Sequence, residues 1–198
     1  MLLLLCLQLY ASGTNSRFAT PHSGPVSAVA CSPFTRDAVL SCGLDGRLAL
    51  RSAAQTGAGK SIFSWEPARL GAALLDVDWS PLLPLLCATA SADGVVYIFD
   101  LGRSVARAWA ALDPSSSGGT ATVSGPRGGG GNGNRAATGG ERRRGDAPAA
   151  HGVKFNPRIE GMVAVAYGDG TIRVWRLGNG LSDEIDAGKL ESLLGSGR

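Results

Sequence analysis

The stretch HGVKFNPRIEGMVAVAYGDGTIRVWRL, from His151 to Leu177, contains three short runs of the kind that form β-strands. They are Gly152 to Phe155, Met162 to Tyr167 and Thr171 to Trp175. Asn156-Pro157 interrupts the chain after the first run, and Gly168-Asp169-Gly170 separates the second run from the third. An Asp-Gly pair flanked by β-branched residues is a strong hairpin signal. The stretch therefore predicts three antiparallel strands.

The same unit occurs twice more in the chain, and the copies align without gaps. In every copy a Ser or Asn lies 13 residues before the Asp of the turn, and a Gly follows that Asp. The starting residues are Ser32, Ser80 and Asn156, and the turn pairs are Asp45-Gly46, Asp93-Gly94 and Asp169-Gly170. The first two copies start 48 residues apart and the next step is 76 residues. A period near 45 with this content predicts an all-β fold, a partial β-propeller.

The repeats divide the chain into six predicted segments of unequal character. These are residues 1–25, a strand of a truncated blade plus a linker; 26–66, a repeat; 74–110, a repeat in which Ser104 to Ala110 would form the outer strand; 111–150, an insertion; 151–177, a repeat; and 178–198, a tail with a possible short helix. The insertion is rich in Gly and Arg and almost free of large apolar side chains, so we expect it to be disordered. The expected architecture is thus about three blades plus one extra N-terminal strand.

The apolar run from Leu2 to Leu9 has two readings. A signal peptide would explain the run and the small residues after it, but no Lys or Arg precedes it. The run is also too short to span a bilayer. We interpret it as a strand of a cut-off blade, with the signal peptide as the alternative.

Three segments of the chain resemble WD repeats. They read VSAVACSP…LSCGLDGRLALRS, LLDVDWSP…CATASADGVVYIFDL and GVKFNP…AVAYGDGTIRVWRL. Phe99-Asp100 and Trp175-Arg176 occupy the position of the WD dipeptide. Among WD-repeat proteins, the stretch GPVSAVACSPFTRDAVLSCGLDGRLAL is most similar to the dynein intermediate chain family, in particular its cytoplasmic dynein 2 branch. The resemblance runs from about Leu2 to Leu177, apart from the insertion.

The resemblance also implies structural positions in each blade. In WD repeats a His, a Ser or Thr, the turn Asp and a Trp form a hydrogen-bonded tetrad. Carried over position by position, the implied residues are His22, Ser41, Asp45 and Gly46; Thr89, Asp93, Gly94 and Phe99; and Asp169, Gly170 and Trp175. No repeat has the full set, since Arg51 and Phe99 replace Trp and Leu70 stands where the second His belongs. Val165 replaces the Ser or Thr of the third repeat. The implied role is structural, not catalytic.

The function that the resemblance implies is that of a non-catalytic scaffold subunit of a dynein motor complex. Its partners would be the dynein heavy chain and other dynein subunits, and light chains only through an N-terminal region absent here. The setting would be cytoplasm, cytoskeleton and cilium, with a role in retrograde intraflagellar transport. The alternative is a WD-repeat interaction adaptor unrelated to dynein, such as a ubiquitin-ligase receptor.

Composition favours neither an enzyme nor a metal site. The chain has two His and four Cys, and none of the Cys forms a CxxC pair. We expect Cys31, Cys42 and Cys87 to be small buried residues of strands. No arrangement of residues indicates a catalytic centre, a cofactor or a membrane anchor, so we predict no enzymatic activity and no cofactor.

A phosphate-binding loop is the strongest catalytic alternative. AQTGAGKS, from Ala54 to Ser61, fits a relaxed version of that motif. Such a loop must open a helix whose N–H groups and Lys60 would hold phosphates. The residues after Ser61 alternate like a strand, and Pro67 would stop a helix. We therefore expect a loop between strands.

Nucleic-acid binding is the remaining alternative. The net charge of +3 comes from one segment, because residues 102–150 hold seven Arg and three acidic residues. The rest of the chain carries about −1. The Arg residues are not interleaved with aromatic side chains on which bases would stack, so we expect a solvated loop between blades and no nucleic-acid partner.

Overall fold

The computed structural model describes residues 22–53, 61–114, 122–123, 147–178 and 187–195. Within these residues the chain forms three antiparallel sheets, a helix and a short 3-10 turn. The prediction of an all-β, partial WD-repeat propeller is confirmed. The predicted strand from Leu2 to Leu9 lies outside the described residues.

The three sheets follow one another along the chain, and we call them the first, second and third blades. The first contains β1 (Val26–Cys31), β2 (Ala38–Gly43), β3 (Leu48–Ser52) and β4 (Phe63–Trp65); the second contains β5 (Leu74–Trp79), β6 (Leu86–Ser91), β7 (Val96–Asp100), β8 (Ala110–Leu112) and β9 (Thr122–Val123); the third contains β10 (Ala150–Phe155), β11 (Met162–Tyr167) and β12 (Ile172–Arg176). Each sheet is ordered as in the sequence, so strands that are neighbours in a sheet are also consecutive in the chain. A 3-10 turn at Arg69–Gly71 precedes β5, and helix α1 spans Ala187–Gly195.

The first two strands of each blade pair in the same register. Val29 lies opposite Ser41, Val77 opposite Thr89, and Val153 opposite Val165. The pairing register also shifts at the same place in each blade, between the first and third residues of its first strand. The repeat seen in the sequence is therefore a repeat in strand pairing.

A side-chain cap turns the chain after the first strand of each blade. The Ser32 hydroxyl accepts the N–H groups of the residues two and three positions later at 3.2 and 3.3 Å. Ser80 makes the same pair of contacts at 3.3 and 3.0 Å, and the amide oxygen of Asn156 makes them at 2.8 and 2.9 Å. Ser and Asn suit this position because their short polar side chains reach nearby backbone N–H groups.

The Asp-Gly hairpins also share one geometry. Gly46, Gly94 and Gly170 have φ angles of 75°, 84° and 82°. This left-handed conformation is open to glycine at little cost. In each turn the Asp carboxylate accepts the N–H two residues later, at 3.1, 3.0 and 2.9 Å. Local chemistry thus fixes all three turns.

Two hydrophobic cores lie between adjacent blades. Side chains of the first and second blades form one core, which includes Leu40, Leu50, Trp79 and Phe99. The second core joins the second blade to the third. Leu190 of helix α1 packs into the first core, so this helix, which lies within the predicted tail, contacts the first pair of blades.

The structure differs from the sequence prediction at the outer strand of the second blade. That strand is β8, not Ser104 to Ala110, because the chain turns after β7: the Asp100 side chain accepts the N–H groups of Gly102 and Arg103 at 3.0 and 3.3 Å. Within the predicted insertion, Thr122–Val123 pairs with β8 as β9. Residues 115–121 and 124–146 lie outside the described part of the chain.

Cys31 also differs from its prediction. Cys42 and Cys87 are buried as expected, but Cys31 is exposed. It lies at the end of β1, on the face of the first blade that points away from the second blade. Burial of a strand residue depends on which face is covered, and alternation along β1 does not decide this.

Candidate functional site

The first blade brings three of the implied tetrad residues into contact. His22 precedes β1, Ser41 lies in β2, and Asp45 lies in the turn before β3. His22 Nδ1 is 3.0 Å from Asp45 Oδ1, and His22 Nε2 is 2.9 Å from Ser41 Oγ. In the neutral imidazole, Nδ1–H donates to the carboxylate and Nε2 accepts from the hydroxyl. The three side chains join three separate segments of one blade.

Hydrogen bonds hold the Asp45 carboxylate in its charged form. Burial opposes its ionisation, but His22 and the backbone N–H groups of Ser23 and Arg47 all donate to it. These bonds outweigh the burial and lower the pKa of Asp45 below its ordinary value.

The same three residue types form the catalytic triad of many hydrolases, but this arrangement cannot act as one. Ser41 lies in the interior of β2, between Val29 and Ala49 on the neighbouring strands, and is only 7% exposed. A nucleophile must reach a substrate carbonyl together with its base. Ser41 lacks that access, so the contacts describe a clamp that fixes the segment before β1 to the turn.

The second blade separates the corresponding residues. The Thr89 hydroxyl donates to the backbone oxygen of Asp76 at 2.9 Å, and Asp93 accepts a hydrogen bond from the Tyr97 hydroxyl at 2.8 Å. Leu70, at the position of the missing His, is fully exposed and has a φ angle of 56°. The Asp of this turn is therefore held by a residue of the following strand.

The third blade has the simplest turn. The fully exposed Asp169 accepts the N–H and hydroxyl of Thr171 at 2.9 and 2.6 Å, and these bonds lower its pKa. Trp175 is buried, but among the described residues its Nε1 has no hydrogen-bond partner. Val165 is also buried and offers no oxygen at the Ser or Thr position.

The residues at the other two Trp positions are both buried. Phe99 is fully buried, and its ring lies 5.1 Å from that of Trp65 at an angle of 47°. The guanidinium of Arg51 is 3.5 Å from the Ser61 hydroxyl, and burial lowers the pKa of Arg51. These positions support packing within and between blades.

A charged cluster between the second and third blades was missed by the sequence analysis. Asp76 Oδ2 accepts the Val153 N–H at 3.0 Å, and Asp78 Oδ2 accepts the Phe155 N–H at 2.8 Å. The ammonium of Lys154 lies 3.5 and 3.4 Å from the two carboxylates. The edge of β10 is thus bound by side chains of β5 in place of a neighbouring strand. The only sequence signal for this cluster was a pair of acidic residues spaced two positions apart, as residues on one face of a strand are: Asp76 and Asp78.

Burial dominates the titration of Asp78. The Phe155 N–H and Lys154 favour its charged form, but desolvation outweighs them and raises the pKa of Asp78.

The first and second blades are joined by a neutral contact instead, in which the Ser27 hydroxyl donates to the Leu74 oxygen at 2.6 Å.

A concave surface lies where the first two blades meet. Its volume is about 380 Å³, and Trp65, Tyr97, Phe99 and Arg107 contribute to its lining. Three of these side chains are aromatic and almost completely buried, and the fourth is charged.

The phosphate-loop alternative finds no support in the described residues. Residues 54–60, including Lys60, lie outside them. Ser61 is followed by the strand β4 (Phe63–Trp65) and not by a helix, so phosphate would meet no helix N-terminus there.

The described part of the chain shows neither a metal site nor a helical membrane span. It contains no group of three or more His, Cys, Asp or Glu side chains placed to hold a metal ion. Its α-helix, α1, has nine residues, and no described helix has the length and hydropathy that crossing a bilayer requires.

Comparison with known proteins agrees with this geometry. Residues 60–100 match the family described as WD domain, G-beta repeat. The chain is similar to WD-repeat proteins of the dynein intermediate chain type.

Two relatives show the similarity to dynein intermediate chains. The chain is 27% identical over 165 residues to cytoplasmic dynein 2 intermediate chain 2 of Mus musculus, and 27% identical over 166 residues to the protein of the same name from Homo sapiens. Each match covers 83% of this chain and 24% of the relative. The chain thus spans about a quarter of the length of these curated relatives.

Proposed function

We propose that the chain is a non-catalytic scaffold subunit of a dynein complex, that it binds the dynein heavy chain, and that it supports retrograde intraflagellar transport. The observation that carries the proposal is the similarity to cytoplasmic dynein 2 intermediate chain 2 over 83% of the chain. The proposed setting is the cytoplasm and cytoskeleton, including the cilium.

The use of polar side chains supports a scaffold. His22, Ser41 and Asp45 bond to one another, and Asp76 and Asp78 bond to the edge of the next blade. These contacts occupy groups that an active site would need for proton transfer. Propellers present their loops and blade faces to partners, and a rigid set of blades holds such surfaces in fixed positions.

Affinity purification from ciliated cells tests the proposal. The tagged chain is expressed in full, and co-purified proteins are quantified by mass spectrometry. We expect the dynein 2 heavy chain to be enriched over a tag-only control. Enrichment of cullin-associated factors without any dynein subunit would replace the proposal with a ubiquitin-ligase adaptor.

A pair of variants makes the result specific to the folded blades. His22→Ala removes the clamp of the first blade and should reduce heavy-chain recovery. His151→Ala, an exposed residue of β10, serves as the matched control and should leave recovery unchanged.

A further inference from the structure

The fourth strands of the first two blades, β4 and β8, are equivalent. Each pairs antiparallel with the third strand of its blade over three residues. The chain also enters both strands through the same contact. The Ile62 N–H donates to the Leu50 oxygen at 2.9 Å, and the Trp109 N–H donates to the Ile98 oxygen at 2.8 Å. The register therefore matches these residues of the two strands: Phe63 with Ala110, and Ser64 with Ala111.

The outer edges of these two strands differ. By outer edge we mean the side of a fourth strand that faces away from the third strand. On β8 this edge is paired with β9, antiparallel, with Ala110 opposite Val123 and Ala111 opposite Thr122. Among the residues that the structure describes, no strand pairs with the outer edge of β4. The second blade thus shows a short extended segment at the position that is open in the first blade.

The backbone of β4 offers what such a segment needs. An edge strand carries N–H and C=O groups without a partner strand, and an extended peptide can pair with them. Ser64 is exposed and Phe63 is partly exposed, so solvent reaches this strand. The blades pack on one another through the faces of their sheets. A further blade beside the first would therefore cover a face and leave the outer edge of β4 open.

The concave surface between the first two blades adjoins this strand. Ser64 and Trp65 of β4 contribute to it from the first blade, and Ala106, Ala108 and Ala111 contribute from the second. The small side chains of the alanines leave the space of about 380 Å³, and Ala106 is exposed to solvent. A segment that lies along β4 can therefore place an apolar side chain in this surface.

The charge available at the concave surface is positive. Arg107 contributes to the lining and is exposed. The acidic residue of the lining, Glu66, already forms an ion pair with Arg47 at 2.7 Å. Within the described part of the chain, no carboxylate forms an ion pair with Arg107. Its guanidinium is therefore open to a carboxylate of a partner, which it can bind through two parallel N–H bonds.

We propose that the first blade binds an extended acidic segment of a partner protein along the outer edge of β4. The segment pairs with the backbone of β4 as β9 pairs with β8, places an apolar side chain in the concave surface, and places a carboxylate on Arg107. Alternate side chains of an extended segment lie on the same side. The apolar and the acidic residue of the segment are therefore two positions apart. This proposal is independent of the dynein assignment.

Fluorescence anisotropy titrations of labelled peptides with the full chain test the proposal. The probes are short Thr-rich peptides in which Glu stands two positions before or after Leu or Phe. In a matched set Lys replaces Glu. We expect saturable binding of acidic peptides and none of their Lys counterparts. Failure of every acidic peptide to bind, or equal binding of the two sets, would overturn the proposal.

A charge exchange tests the role of Arg107. Arg107→Glu should lose the acidic peptides and bind the Lys peptides instead, because the variant presents a carboxylate where the guanidinium was. Arg158→Glu, at an exposed position between β10 and β11, is the matched control and should bind the acidic peptides like the wild type. Equal losses in the two variants would show an effect of net charge alone and would rule out a contact at Arg107.

Filling the concave surface tests where the apolar side chain lies. Ala106→Trp should weaken binding of the acidic peptides by about tenfold, because the indole takes the space of the peptide's apolar side chain. Ala92→Trp, at an exposed position of the turn before β7, is the matched control and should leave the affinity unchanged. Both variants should keep the circular dichroism signal of the wild type. An unchanged affinity of Ala106→Trp would contradict binding in the concave surface.

N-methylated peptides test the backbone pairing without changing the protein. In a strand pair, the N–H groups of alternate residues point to the neighbouring strand. One version of the bound peptide carries N-methyl groups at its odd positions, and the other carries them at its even positions. We expect one version to lose binding and the other to retain it. Equal affinities of the two versions would show that the peptide does not add to β4 as a strand.

Discussion

The Nδ1 atom of His22 lies 3.0 Å from Oδ1 of Asp45, 23 residues further along the chain. This contact, together with the one from His22 to Ser41, fixes the segment before β1 to the far end of the first hairpin. It is the only place in the described residues where three implied tetrad positions meet. The first blade should therefore depend on His22 more than the other blades depend on any one polar side chain.

His22→Ala should lower the free energy of unfolding by about 1–3 kcal/mol, because it leaves the buried Ser41 hydroxyl and the Asp45 carboxylate without their shared partner. Urea unfolding followed by circular dichroism measures the change. His151→Ala, at an exposed position, should stay within about 0.5 kcal/mol of the wild type. Equal effects of the two variants would show that the clamp contributes nothing particular.

The low pKa of Asp45 makes the first blade sensitive to acid. A carboxyl group whose pKa is lower in the folded chain stabilises that chain above its unfolded pKa, and this contribution is lost as the pH falls through the folded pKa. In the Asp45→Asn variant the free energy of unfolding should therefore change less between neutral and acidic pH than it does in the wild type. Urea titrations at several pH values measure the difference, with the exposed Asp37→Asn as control.

Asp78 should change the pH dependence of stability in the direction opposite to that of Asp45. Its pKa is raised in the folded chain, so its ionisation lowers stability as the pH rises from the unfolded to the folded pKa. Asp78→Asn removes this cost and retains an oxygen for the Phe155 N–H, so at neutral pH it should be neutral or stabilising. Asp78→Ala leaves that N–H without the oxygen and should cost about 1–3 kcal/mol. If Asp78→Asn and Asp78→Ala destabilise the chain equally at neutral pH, the charge of the carboxylate itself holds β10.

The turn glycines should differ in their tolerance of alanine. Positive φ alone costs an L-residue about 1–2 kcal/mol. Gly46→Ala and Gly94→Ala should cost more than Gly170→Ala, because their Cβ atoms would also meet backbone oxygens at 2.9 and 2.8 Å. The comparison is made by urea unfolding followed by circular dichroism. Equal losses at the three turns would contradict the close packing of the first two.

Local chemistry explains which parts of the fold could be predicted from the sequence. The Ser32 cap and the Asp45-Gly46 turn depend on contacts between residues two or three positions apart, so spacing was sufficient. The outer strand of the second blade was misplaced because the Asp100 side chain turns the chain after β7. The repeat could be recognised in the sequence because all three blades use the same Ser or Asn cap and the same Asp-Gly turn.

The non-local features could not be predicted in the same way. The bond from Asp78 to Phe155 joins residues 77 positions apart, and nothing in either strand alone specifies it. Thr89 occupies a tetrad position but donates to the Asp76 oxygen, since Leu70 leaves it without a His. Exposure of Cys31 likewise depends on which neighbour covers the first blade.

The central claim is that this set of WD blades serves as a docking scaffold for dynein. Its most direct test is a titration of the purified chain against the purified tail of a dynein 2 heavy chain, with binding followed by biolayer interferometry. We expect saturable binding that His22→Ala weakens and His151→Ala leaves unchanged. No binding by a chain that shows the cooperative unfolding of a folded protein would contradict the claim.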